Sequence, residues 1–378
     1  MKRAFNLLNH CHTPPKVIKP HRNTVQTVSA STTTTSDSTK KVHVHLHAVS
    51  VLSTGDIESS QDAAVLRRLL KGRNVKITFG EFADEPTYDI LVSGTPTLEL
   101  LDASKRLKIV VVPWAGILPA MRSMMLKYPH LSVHNLHWPS IPTAEMALTL
   151  LLAASKQLIV CDQALRRQDW RPRYRLDMQP FILHGKKALI LGYGTIGECV
   201  RDYLLTLGMK VVAIKRNPSK VKHHPQVEVF GPESLHELLP KVDVLMVILP
   251  GIPSTLNYIS KRELDLLPKH SILVNVGRGS VIHQTDLFNA LKNGDIGAAG
   301  LDVWYNYPGM LEDSPRVNIR PSTERFEDLD NVVLSPHRGG AVPPGERTEL
   351  RASSMAELIK AFYDEKPIPN KMNLELGY

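Results

Sequence analysis

Three glycines, Gly192, Gly194 and Gly197, stand in the order G-x-G-x-x-G and carry the most specific chemistry in the chain. An apolar run from Lys187 to Leu191 precedes them and reads as a buried strand. Ile196, Val200, Tyr203, Leu204 and Leu207 follow at helical spacing, with Gly208 as a stop, and a second apolar run extends from Lys210 to Ile214. Strand, tight turn, helix and strand form the setting in which such glycines bind a dinucleotide. The first allows the turn, the second lets backbone approach a pyrophosphate, and the third packs helix on strand. Thr195 and Ile196 open the helix, whose free N–H groups and dipole attract phosphate.

The later strands are read at Val242 to Leu249, Ile272 to Val276, Ala298 to Val303 and Val332 to Leu334. Their carboxyl ends carry Leu249-Pro250, Asn275-Val276-Gly277-Arg278-Gly279, Leu301-Asp302-Val303-Trp304 and Ser335-Pro336-His337. In an open α/β sheet, ligands sit outside the carboxyl ends of the strands. Arg278, Asp302 and His337 are therefore expected to converge on the crevice that holds the dinucleotide, beside Pro250, Val276 and Gly277.

Ahead of this region, Glu58 to Lys71 reads as a helix stopped by Gly72. Val75 to Phe79, Ile90 to Val92, Ile109 to Val112 and Leu131 to Val133 read as strands, with helices at Leu98 to Ala103 and Ala120 to Lys127. This alternation indicates a parallel sheet covered on both faces, beginning at Lys41. Pro139-Ser140-Ile141-Pro142 breaks the pattern. The stretch from Thr143 to Val160 reads as one helix, apolar on most faces, buried between domains or between subunits. A last helix is read from Glu346 to Tyr363.

Composition bounds the rest. The 378 residues suggest about two or three domains of ~150 residues. Of the net charge of +9, residues 1–40 carry +5, with six basic side chains against Asp37, so the body carries +4. No nucleic-acid surface is required and no recognition motif supports one. Met146 to Val160 is interrupted by Lys156 and Gln157 and falls short of the ~20 residues of a membrane span. Cys11, Cys161 and Cys199 are scattered, which argues against a disulfide framework. Residues 1–40 are rich in Ser, Thr and basic residues and poor in acid. They read as a mitochondrial or plastid transit peptide or as a disordered tail, the latter leaving the protein cytoplasmic. His43, His45 and His47 share one strand face. Ligands ~6–7 Å apart in one row suit a tetrahedral ion poorly, so packed histidines, and no metal, are the reading.

From about Lys41 to Lys366 the chain resembles the D-isomer-specific 2-hydroxyacid dehydrogenase family. The motifs are Gly185-Lys186-Lys187, the glycine turn, Asp243 to Pro250, Leu273 to Gly279, Gly300-Leu301-Asp302-Val303 and Ser335-Pro336-His337. The resemblance implies two doubly wound parallel-sheet α/β domains. A Rossmann NAD(P)-binding domain, 141–339, would be inserted into a flavodoxin-like substrate domain formed by 41–140 and 340–378. It implies hydride transfer between a nicotinamide cofactor and C2 of a small 2-oxo or 2-hydroxy acid, in a homodimer. Arg278 would pair with the acid, a bidentate geometry lysine cannot match. Backbone N–H groups of Ala115-Gly116-Ile117 would hold its carboxylate, and the first-domain loops, Ser93-Gly94-Thr95 included, would shape its side-chain pocket. His337 would serve as general acid/base, and Asp302 would lie beside the nicotinamide.

Two positions depart from that pattern. NAD enzymes place an acid at the end of the second strand to bind the ribose hydroxyls. Here Lys215, eighteen residues after Gly197, and Arg216 stand there instead. Two cations attract a 2′-phosphate, so NADP is expected over NAD, with NAD possible. Five residues after Asp302, where most relatives carry the glutamate that partners the histidine, this chain has Tyr307. A phenol supplies no charge but could orient the ring through a hydrogen bond, and Glu312, Asp313, Glu324 or Glu327 could substitute as the acid. An NADP-preferring reductase of a 2-oxo acid such as glyoxylate or hydroxypyruvate is the leading expectation. The alternatives are hydride transfer of a formate-dehydrogenase-like or otherwise atypical kind, and a non-catalytic NAD(P)-binding regulatory protein.

Overall fold

Two parallel sheets organise the chain in a computed structural model that describes residues 40–47, 55–175, 180–221, 223–308 and 318–377. The residues read as a transit peptide or tail, up to position 39, lie outside the described residues, as do Glu312 and Asp313. The first sheet contains β1 (Val42–Leu46), β2 (Val75–Phe79), β3 (Ile90–Val92), β4 (Ile109–Val112) and β5 (Ser132–Asn135), in the spatial order β2-β1-β3-β4-β5. Its helices are α1 (Gly55–Leu69), α2 (Leu98–Ala103) and α3 (Pro119–Met125). α4 (Ser140–Ser155) and α5 (Leu158–Arg166) lead to the second sheet.

That sheet contains β6 (Lys187–Leu191), β7 (Lys210–Ile214), β8 (Val227–Phe230), β9 (Val244–Val247), β10 (Ile272–Asn275), β11 (Ala298–Leu301) and β12 (Val332–Leu334). Its order is β12-β11-β10-β9-β6-β7-β8, with every pairing parallel. α6 (Thr195–Thr206), α7 (Leu235–Leu238), α8 (Lys261–Leu264) and α9 (Gln284–Lys292) connect its strands, and α10 (Pro344–Tyr363) closes the chain. The direction of winding reverses between β1 and β3 in the first sheet and between β6 and β9 in the second. A ligand crevice opens at such reversals.

Continuous Val, Ile and Leu runs form these strands because both faces are covered. Leu189, Leu245 and Leu273 pack on one side of the second sheet, and Ala188, Ile190, Val244 and Val274 on the other. In β1 even the histidine face is inside. His43 bonds Thr87 and Thr78, His45 bonds Thr78, and His47 bonds Ser93. Burial, reinforced by the neighbouring His47 and His43, lowers the pKa of His45 to about 4 and keeps it neutral.

α10 carries the chain back to the first sheet. Its Ala352, Met355, Ala356 and Ile359 join the core of Val44, Leu46 and Leu66. Arg351 Nε donates to Asp62 Oδ2 at 2.7 Å, with both side chains buried. Removing one partner of such a pair costs about 3–5 kcal/mol, because the other charge is left unpaired.

The single helix expected from Thr143 to Val160 is two, bent by 66° after Lys156, with Gln157 at φ +51°. The break falls at the two polar residues that interrupt the apolar run. One face of α4 is covered by this chain itself, while Ile141 is exposed and Met146, Leu148 and Leu152 are half-buried. Ala147, Leu150, Leu151 and Ala154 pack with Val200 and Leu204 of α6 and with Ala188 and Ile190. α5 leaves Leu158, Ile159 and Leu165 exposed. Among the described residues, no single helix is long and apolar enough to cross a membrane. β8, a short edge strand, and α9 have no counterpart in the sequence reading; a four-residue alternating run carries little periodic signal.

Candidate active site

The three glycines meet three different surroundings. A Cβ on Gly192, whose φ is +107°, would lie 2.6 Å from the carbonyl oxygen of Ile248, and one on Gly197 would lie 2.6 Å from that of Gly192. A Cβ on Gly194 would meet no heavy atom within 4 Å. The first and third glycines are thus filled by protein, while the middle one faces open space at the N-terminus of α6. This cradle fits a pyrophosphate. Gly192 and Tyr193 donate their N–H groups to the carbonyl of Ile214 at 3.2 Å, which ties the turn to the end of β7. Lys215 and Arg216 follow at that end, half-buried and exposed respectively. Thr195 Oγ1 lies 3.1 Å from Nδ1 of His137, a residue sequence reasoning missed because no motif or periodicity marks it.

Arg278 leaves the end of β10 on a loop pinned by Asn275. Asn275 Oδ1 accepts the Gly277 N–H at 3.0 Å, and its Nδ2 donates to the Arg278 carbonyl at 3.1 Å. Gly277 lies flat on Leu249, beside Pro250; a Cβ there would come within 2.5 Å of the Leu249 oxygen. Gly251 makes room for the Arg278 stem. The guanidinium then reaches the other sheet. A Cβ on Gly116 would lie 2.6 Å from its Nη2, so Arg278 rests on the Ala115-Gly116-Ile117 loop. Asn135 holds that loop by donating to the Ala115 carbonyl at 2.5 Å. The structure therefore joins the expected substrate arginine to the expected carboxylate loop.

His337 sits on a loop after β12 with φ +56°, a left-handed conformation uncommon outside glycine and costing on the order of 1 kcal/mol. Asp302, 1% exposed at the end of β11, holds it there. Its Oδ1 accepts the Ser335 hydroxyl and the Arg338 N–H at 2.8 Å, and its Oδ2 accepts the Gly339 N–H at 2.7 Å. The Trp304 indole N–H adds a bond to the Ser335 carbonyl at 2.8 Å. Asp302, Trp304 and Ser335 clamp the loop, and sequence reasoning gave none of them that part. The signal was present, since all three fall inside motifs at strand ends, but no motif states which side chain bonds which loop.

His337 is exposed to solvent. Desolvation by the protein around it lowers its pKa, the Arg278 guanidinium lowers it further, and Asp302 opposes them. Tyr307 lies beside it, ring centroids 5.4 Å apart and tilted by 56°. The expected hydrogen bond from phenol to imidazole is replaced by this ring contact, and Tyr307 Oη accepts the Trp304 N–H at 3.0 Å. Nor do the described candidate acids serve His337. Glu324 accepts from Thr285 at 2.8 Å, and Glu327 pairs with Arg320 at 3.2 Å. Among the described residues, no carboxylate bonds the imidazole.

A Rossmann sheet with a glycine cradle, facing a second parallel sheet across a crevice lined by an arginine and a histidine, defines a dinucleotide-binding α/β oxidoreductase. The family model for the D-isomer specific 2-hydroxyacid dehydrogenase NAD binding domain matches residues 148–339. The chain belongs to the D-isomer specific 2-hydroxyacid dehydrogenase family, whose members act on the CH–OH group. It is 32% identical over 288 residues to a glyoxylate reductase of Thermococcus onnurineus, covering 74% of this chain and 80% of that enzyme. It is 34% identical over 239 residues to a glyoxylate reductase of Thermococcus gammatolerans, covering 62% of this chain and 66% of that enzyme. A crystal structure of a D-isomer specific 2-hydroxyacid dehydrogenase from Xanthobacter autotrophicus, in complex with NADPH and MES, superposes with a TM-score of 0.69 at 22% identity. It covers 89% of this chain and 99% of that one, a likeness of fold.

Proposed function

We propose that the protein reduces a small 2-oxo acid, such as glyoxylate or hydroxypyruvate, with NADPH. The observation that carries this reading is the Arg278 guanidinium resting on Gly116, with His337 in the same crevice. The Gly192–Gly197 cradle would hold the pyrophosphate, and Lys215 with Arg216 would take the 2′-phosphate. The Xanthobacter relative with NADPH bound supports that preference. When bound, the nicotinamide supplies the hydride that reaches C2 of the acid.

The chain's own residues do the rest. Arg278 pairs with the carboxylate, and the backbone N–H groups of residues 115–117 close on it from the other side. Arg278 thereby fixes C2 and its oxygen in one orientation. His337, as imidazolium, gives its proton to that oxygen and regains one from the solvent side of the cleft. The oxo acid gains hydride and proton and leaves as the 2-hydroxy acid.

Oxidation of NADPH and NADH against a panel of 2-oxo acids tests the reading. Turnover of glyoxylate that falls about 10²- to 10⁴-fold in His337→Ala is expected. A shift of preference toward NADH is expected in Lys215→Asp. Tight NADPH binding with no turnover of any acid would instead make this a nucleotide-binding regulatory protein.

A further inference from the structure

Tyr307 occupies the place of the missing carboxylate, yet its hydroxyl is not bonded to the imidazole. Oη accepts the Trp304 N–H at 3.0 Å. A phenol that accepts one hydrogen bond still has its own O–H to donate. Among the described residues no acceptor takes it. The bonded N–H belongs to the strand-end segment that Asp302 opens, and so fixes Oη in the same frame that clamps the His337 loop. The ring stands 5.4 Å from His337, and burial raises the Tyr307 pKa and keeps the phenol protonated, opposed by the Trp304 N–H and by the Arg278 guanidinium. The phenol is thus held against the imidazole, and both rings lie within electrostatic reach of the guanidinium. Arg278 and His337 are already committed to the carboxylate and to the proton. An acid held between them would present its C2 oxygen, which meets His337 with one lone pair and has a second for the free O–H.

We propose that Tyr307 is a catalytic residue that donates a hydrogen bond to the C2 oxygen of the 2-oxo acid, rather than a partner that orients or charges His337. The inference rests on the reductase reading above. As hydride reaches C2, negative charge develops on that oxygen, and a fixed donor binds it more tightly than it bound the ground-state carbonyl. Tyr307 gives up no proton. Transfer remains with His337, so the phenol stabilises charge that a histidine–glutamate pair would meet only through the imidazolium.

Tyr307→Phe keeps the ring and removes the hydroxyl, both the O–H offered to the substrate and the acceptor of the Trp304 N–H. With glyoxylate and NADPH, kcat is expected to fall about 10²-fold with KM changed much less. The His337 imidazole resonance, followed by NMR as pH is varied on the NADP-loaded protein, is expected to titrate as in the wild type. Tyr307→Glu supplies the contrast, since a carboxylate beside the ring raises the histidine's pKa and moves the titration to higher pH. Wild-type rates in Tyr307→Phe would overturn the proposal, and so would a raised KM at unchanged kcat or a displaced His337 titration. A wild-type protein that turns over no 2-oxo acid overturns the reductase reading and this inference with it. A wild type that turns over while Tyr307→Phe matches it overturns this inference alone.

Discussion

At the glycine turn, the contacts that matter join Gly192, Gly197, Ile214 and Ile248, residues lying on or just beyond β6, α6, β7 and β9. Three of those four fall within one strand–helix–strand unit. At the His337 corner the clamp joins the ends of β11 and β12 with the loop at Arg338 and Gly339, and the guanidinium opposite is seated on a glycine of the other sheet. The turn is a local device that bare backbone fills. The corner is a long-range one, assembled by side chains from segments more than thirty residues apart. A local device is written into spacing; a long-range one depends on each buried bond that holds it.

The comparison breaks most easily at Asp302. In Asp302→Asn an amide donor replaces one oxygen that now accepts, and it faces the N–H of Arg338 or Gly339. Losing buried bonds to a charged acceptor costs on the order of 3 kcal/mol, and even a small displacement of His337 is expensive in rate. The expected result is a fall of about 10²-fold in kcat/KM for glyoxylate, with NADPH affinity changed less than about threefold. Equal losses of affinity and rate would show that the corner and the turn are one cooperative unit.

A pair of identical substitutions sharpens the local side. Gly197→Ala puts a methyl against the Gly192 carbonyl, and overpacking of that kind costs about 1–3 kcal/mol in urea unfolding. Gly194→Ala meets no protein atom, so stability should change by less than about 0.5 kcal/mol while NADPH binding weakens. Equal stability losses in the two variants would contradict the contrast between a filled and an open glycine.

The smallest expected effect is on pH dependence. In the proposed reaction His337 must carry its proton to reduce the acid, and its pKa lies below the ordinary 6.5 because burial and Arg278 disfavour the imidazolium. The rate of reduction should therefore rise as pH falls through that depressed value and decline above it. Replacing Arg278 with Gln removes one of the two lowering influences, so the residual activity should follow a profile displaced to higher pH. A profile centred at or above 6.5 in the wild type would show that another acid supports the ring.

The fold was legible because parallel strands buried on both faces read as apolar runs. β6, β7 and β12 fall where the runs lie, while β9 is shorter than its run at both ends. The bend at Gln157 was marked by two polar residues, although a helix template reads through it.

By itself the sequence marked the glycine cradle, the parallel α/β alternation and the strand-end positions of Arg278 and His337. Each of these rests on local periodicity or on a residue type at a strand end. Tertiary structure alone decided that one face of α4 packs on α6 and the second sheet, that Arg278 rests on Gly116, and that Asp302 acts on the His337 loop. It also decided that the Tyr307 hydroxyl meets Trp304 rather than the imidazole. Those outcomes depend on which strand ends become neighbours and on how far a side chain reaches between them, distances that spacing along the chain does not encode.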